Sequence, residues 1–220
     1  MRKRRHCLIG VGATVFVAGC AIVFVSLLTC RAEEKVRTSP LAGSWYPADK
    51  AELAKQLDDF LAKAAPAAPE EAPIALVSPH AGYRFCGPTA AYGFKVVSGR
   101  EFTRVIVLAP SHNARFKGVC VSSFDAYDTP LGRVTIDRAV SDELLQHTSF
   151  SRNEEAETRE HAVEMQVPFL QMAVKDLKLV PLIVGQMTAE DYRPVAECIR
   201  KHVDDKTLVI ASSDFTHYGA

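Results

Sequence analysis

The 220 residues carry no excess charge of either sign, with 26 Lys and Arg against 26 Asp and Glu. No basic block occurs beyond residues 2–5. That argues against nucleic acid as a partner, because neutralising phosphates takes clustered cations. Cysteine is too sparse for a disulfide scaffold. Three of the six, Cys7, Cys20 and Cys30, sit in the N-terminal segment, leaving Cys86, Cys120 and Cys198 with no C-x-x-C pair. There is no internal repeat, no phosphate-binding G-x-x-x-x-G-K-[ST] loop and no G-x-S-x-G elbow. Gly10-Val11-Gly12 lies inside an apolar run, where no dinucleotide site forms. A hydrophobic content of 48% with 24% charged residues excludes a disordered chain.

Behind Arg2-Lys3-Arg4-Arg5 come 24 residues, 7–30, without a formal charge. About 20 apolar residues suffice to span a bilayer core, and the cationic flank favours the cytoplasmic side. Residues 1–30 are therefore expected to be a signal-anchor with a cytoplasmic N-terminus. Val17-Ala18-Gly19-Cys20 also resembles a lipoprotein cleavage box, although the sequence stays apolar beyond it, and an ordinary cleaved signal is the other alternative. Each version places the following domain, membrane-anchored or exported, outside the cytoplasm.

The body alternates strand and helix patterns. Asp49 with Glu52 forms a capping pattern ahead of Leu53, Leu57, Phe60 and Leu61 at helical spacing. Continuous apolar runs at 74–77, 105–109, 179–184 and 208–211 predict strands buried on both faces. Between them 89–97, 137–146, 161–174 and 188–203 predict helices, and 119–136 a β-rich excursion turning at Pro130-Leu131-Gly132. The expected fold is α/β, three layers (αβα) around a mainly parallel sheet.

The residues following these strands carry the chemistry. The run 74–77 leads into Ser78-Pro79-His80-Ala81-Gly82-Tyr83, the run 105–109 into Pro110-Ser111-His112, and the run 208–211 into Ser212-Ser213-Asp214-Phe215-Thr216-His217. In an open parallel sheet the carboxyl ends of the strands share one edge, where ligands bind. His80, His112 and His217 are thus expected to converge although they lie far apart in sequence. Imidazole is both the usual metal ligand and the usual base near neutral pH. Two such ligands with a third protein ligand and open coordination positions suit Fe(II) or Zn(II). Asp214 serves either to orient a ring N–H or to cap the next turn. His161 and Glu164, three apart on a helix face, lack the H-E-x-x-H order and its inverse. They are expected at the rim or in a buried polar contact rather than on a metal.

Six blocks in order, LAGSWYP (41–47), PHAGY (79–83), APSH (109–112), DTPLG (128–132), EHAVEMQVPFL (160–170) and SSDFTHYG (212–219), resemble the MEMO family, whose bacterial members are called AmmeMemoRadiSam system protein B. The resemblance covers residues 40–220. It implies a fold similar to that of class III (LigB-type) extradiol dioxygenases, which use non-haem Fe(II). It further implies that His80 and His112 are metal ligands and that His217, with Asp214 beside it, is the catalytic base. Tyr83, Cys86, His161 and Glu164 are secondary candidates. Family domains continue beyond SSDFTHYG and carry a third, Cys ligand there, so the domain is expected to be incomplete at its C-terminus. The expected function is a metal-dependent, dioxygenase-like oxidoreductase holding a divalent metal, Fe(II) with Zn or Cu as alternatives. Its partner would be a small-molecule or peptide ligand. The rival functions are non-catalytic peptide or metal binding, and metal-dependent hydrolysis.

Overall fold

Residues 33–67 and 69–215 are described by the structure, a computed structural model. The expected signal segment, 1–30, lies outside them. No helix among the described residues is long and apolar enough to cross a membrane.

The chain runs β1 (Val36–Arg37), α1 (Lys50–Lys63), β2 (Ala75–Ser78), α2 (Tyr83–Val97), β3 (Arg104–Pro110), β4 (Val119–Val121), β5 (Ala126–Thr129) and β6 (Gly132–Ile136). It continues through α3 (Arg138–Leu144), β7 (Phe150–Arg152), α4 (Glu154–Thr158), α5 (His161–Glu164), α6 (Val167–Ala173), β8 (Lys178–Val184), α7 (Ala189–Arg200) and β9 (Thr207–Ser212). Asp49 caps α1 by accepting from the N–H groups of Ala51 and Glu52, each at 2.9 Å. This satisfies donors that the first helical turn leaves unpaired.

The sheet order is β1-β5-β6-β8-β3-β9-β2, with β4 on β8 and β7 on β4. Only β4–β8 and β5–β6 are antiparallel, and the other six pairings are parallel. Alternation along the central strands feeds two cores. Val105, Val107, Leu179, Ile183, Leu208 and Ile210 face one with residues of α1, α2, α5 and α6. Ile106, Val180 and Leu182 face the other with Val140 and Leu144 of α3 and Val195 and Ile199 of α7. Successive strand residues point to opposite faces, so a central strand covered on both sides must be apolar throughout.

Three expectations need correction. The run 74–77 is not buried on both faces: β2 is an edge strand, and Val77 is 53% exposed. The helix expected at 89–97 begins earlier, at Tyr83, and carries Pro88 inside its second turn. The helix expected at 161–174 is two helices, α5 and α6, parted at Met165 and Gln166, with Pro168 in the first turn of α6. There the missing N–H of proline goes unneeded.

A candidate metal centre at the strand ends

In the order β3-β9-β2 all three strands run parallel, with Ser78 beside Ser212 and Leu108 beside Ala211. Their carboxyl ends therefore deliver His80, His112 and Asp214 to one edge. His161, the first residue of α5, comes to the same place. The ring centroids lie 5.3 Å apart for His80 and His112, 5.5 Å for His80 and His161, and 4.3 Å for His112 and His161. One ring nitrogen from each falls within 4.8 Å of the other two, a grouping that can hold a metal ion.

The electrostatics suit a cation. Burial pushes the His80 imidazole down to about 4, against the opposing pull of the Asp214 carboxylate. Burial also lowers His161, with Glu160 pulling the other way. Both rings are therefore neutral at pH 7 and offer lone pairs. His112 donates through Nδ1 to Glu160 Oε1 at 2.8 Å, which leaves its Nε2 free. Glu160 is buried, and desolvation alone would raise its pKa. The backbone N–H groups of His112 and Ala162 and the His112 ring outweigh that and hold it below the ordinary carboxylate range. A carboxylate behind a ligating imidazole fixes the ring and raises its basicity. Asp214 accepts from the His80 backbone N–H, and its other oxygen, Oδ2, stands 3.8 Å from His80 Nε2. Donor type, protonation and convergence all fit a divalent metal.

The remaining candidates separate. His161 and Glu164 share a short helix but serve different ends. His161 faces the other two rings, and Glu164 turns inward as a buried polar contact, accepting from Arg37 at 2.9 Å and from the Tyr46 hydroxyl at 2.7 Å. The expectation that kept His161 off the metal rested on the missing H-E-x-x-H order; the structure instead groups its ring, from the first position of α5, with those of His80 and His112. Tyr83 is a core residue, donating to the Met165 carbonyl at 2.9 Å and packing on Phe169. The Cys86 thiol donates to the Ala81 carbonyl, and burial pushes its pKa up to about 12, so it stands as a protonated structural group outside the imidazole cluster. His217 lies outside the described residues.

Residues that the sequence did not single out hold the site together. Arg37, 2% exposed, donates to the carbonyls of Glu157 and Glu160 and to Glu164, bracketing the turn that presents Glu160 and His161. Trp45 lies 4.9 Å from the His161 ring and borders a cavity of about 850 Å³ that also touches Ala81, Gly82, Arg84 and Phe85. Glu160 stood in plain view beside His161 in the EHAVEMQ block. Arg37 carries no local signal.

A family model described as Memo-like protein matches residues 37–220. Among curated relatives, "Protein memo-1 homolog" of Caenorhabditis elegans is 37% identical over 193 residues, covering 84% of this chain and 54% of the worm protein. "Protein MEMO1" of Xenopus laevis is 34% identical, covering 83% of this chain and 63% of the frog protein. A "MEMO1 family protein" of Nitrosopumilus maritimus is 32% identical, covering 83% and 69%. The chain spans 54% of the worm protein and 63% of the frog protein.

Proposed function

Since this chain belongs to the Memo-like protein family, we propose, with that membership as premise, that it is a metal-dependent oxidoreductase acting on a small oxygen-bearing substrate, with His80, His112 and His161 holding the metal. The observation that carries the proposal is the convergence of three ring nitrogens within 4.8 Å. Fe(II) is the metal favoured by the resemblance to the MEMO family, whose fold is similar to that of the Fe(II)-using class III extradiol dioxygenases. Imidazole suits Fe, Zn and Cu alike. A divalent ion bound there supplies a Lewis acid and, if it is iron, a redox centre.

The chain's own groups divide the remaining work. Glu160 keeps the proton on His112 Nδ1. Asp214, anchored by its bond from the His80 backbone, presents its second carboxylate oxygen beside His80 Nε2, where it can accept a proton from a substrate hydroxyl. His217, three residues on, is proposed as the base that takes that proton further. The Trp45 side of the site, with its adjoining cavity, admits the substrate. The uncharged run at residues 7–30 supports placing this domain outside the cytoplasm.

A second reading has one observation in its favour. Three imidazoles are also a protein ligand set of catalytic zinc, which activates water for hydrolysis. Metal analysis and oxygen-uptake assays on anaerobically purified full-length protein separate the two. Bound iron with oxygen uptake supports the oxidoreductase, and stoichiometric zinc without uptake supports the hydrolase. Metal without turnover would leave a binding protein, and no metal at all would overturn both.

A further inference from the structure

At His80 Nδ1 lies a buried set of hydrogen bonds centred on Ser212. Ser212 Oγ, at the last position of β9, has three partners: the Ala162 carbonyl at 2.7 Å, Gln166 Nε2 at 2.8 Å and His80 Nδ1 at 2.9 Å. The orientation of Gln166 is settled by its other contact. The amide atom facing Ser212 also lies 3.0 Å from the Pro79 carbonyl, which only accepts, so that atom is the NH2 group. Its two hydrogens are then spent on Pro79 and Ser212.

A serine hydroxyl has one proton and two lone pairs. The Ala162 carbonyl takes the proton, because it has none to give. The Gln166 NH2 takes one lone pair, because it only donates here. A single lone pair remains for His80 Nδ1, which must therefore carry a hydrogen. Neutral imidazole has one N–H, so Nε2 is left bare. We infer that Ser212 and Gln166 are positioning residues that hold neutral His80 in its Nδ1–H form, with Nε2 prepared for a metal. Ser212 is 3% exposed and Gln166 fully buried, so water does not compete for these bonds.

The device differs from that at His112, whose Nδ1 proton is held by a carboxylate. One ligand is thus backed by a charge and the other by a neutral hydroxyl whose polarity is dictated from two further directions. The same hydroxyl ties β9 to the carbonyl of Ala162 in α5, and Gln166 sits in the break between α5 and α6. That break therefore has a use: it turns the Gln166 side chain back toward Pro79 and Ser212 while α5 presents His161.

The inference rests on the metal reading above for its purpose but not for its test. Histidine is labelled with 15N in the full-length, metal-free protein, and long-range proton–nitrogen correlations report which nitrogen of His80 is protonated. The His80→Gln variant identifies the signals. Protonated Nδ1 with bare Nε2 is expected; protonated Nε2 in the wild type overturns the inference without any variant having to fold. Ser212→Ala is expected to give a mixture of the two forms and to weaken binding of Zn(II) alone by about 10–100-fold, the usual effect of losing a group behind a ligand. Ser212→Thr, which keeps the hydroxyl, is expected to restore both. An unchanged His80 tautomer in folded Ser212→Ala would also overturn it. Failure of wild-type protein to bind Zn(II), with the Nδ1–H form present, would count against the metal reading alone.

Discussion

Replacing Glu160 by Gln should impair the site through a conflict of hydrogen-bond polarity. The carboxylate is 1% exposed. Its Oε1 accepts from His112 Nδ1 at 2.8 Å and from the Ala162 N–H at 2.9 Å; its Oε2 accepts from the His112 N–H at 2.7 Å. A glutamine of the same shape must point an NH2 group at one of these two sets of donors. Placed at the Oε1 position, it forces His112 to accept at Nδ1, which moves the ring proton to Nε2 and blocks the lone pair a metal requires. Placed at the Oε2 position, it opposes the His112 backbone N–H, which cannot reverse its polarity, and pushes apart the loop after β3. Either way a buried donor is left unpaired, at a cost of about 1–3 kcal/mol of stability. Zn(II) affinity, read by competition with a chromophoric chelator, should fall by about 10–100-fold, or about 1.4–2.8 kcal/mol. A folded Glu160→Gln protein that binds Zn(II) as tightly as the wild type would refute this account of Glu160.

Arg37→Met leaves Glu164 buried without its partner and should cost about 3–5 kcal/mol, seen as a lower melting temperature; adding Glu164→Met should recover much of it, and an unchanged melt in the single variant would contradict the buried-pair account. Acid should weaken the metal-free protein, because between the ordinary value of 6.5 and about 4 the unfolded chain takes up a proton that folded His80 refuses. Stability is therefore full above the unfolded value and declines as pH falls, by about 2 kcal/mol between about pH 7.5 and about pH 5 in denaturant titrations, and a flat profile would count against it. Gly118→Ala would place a Cβ 2.2 Å from the Ser149 carbonyl oxygen at a φ of +78°, whereas Gly99→Ala, at +76°, meets nothing within 4 Å. Both pay the left-handed backbone cost of about 1–2 kcal/mol, so Gly118→Ala should melt well below Gly99→Ala, and equal melting temperatures would exclude the clash.

The central strands were legible because β3 and β8 are covered on both faces and so read as unbroken apolar text. β2 reads the same way yet lies at the edge, since an apolar run does not state which neighbours will cover it. β1, with two residues, and β4 and β7, with three each, are too short to carry a period. At the site, His80, His112 and Asp214 were legible from topology alone, as residues that follow parallel strands. His161 was not, because it follows no strand and its spacing to Glu164 matches no helix-borne metal motif; only the placement of α5 beside the strand ends brings its ring to the other two. Ser212 and Gln166 were visible as letters within recognisable blocks. Their role appears only once the carbonyls of Pro79 and Ala162 are located beside them.

X-ray absorption at the metal edge of the loaded, full-length protein tests the central claim most directly. The account predicts three imidazole ligands in the wild type and one fewer in each of His80→Ala, His112→Ala and His161→Ala. A spectrum without imidazole scattering, or one that none of the three substitutions alters, would contradict it.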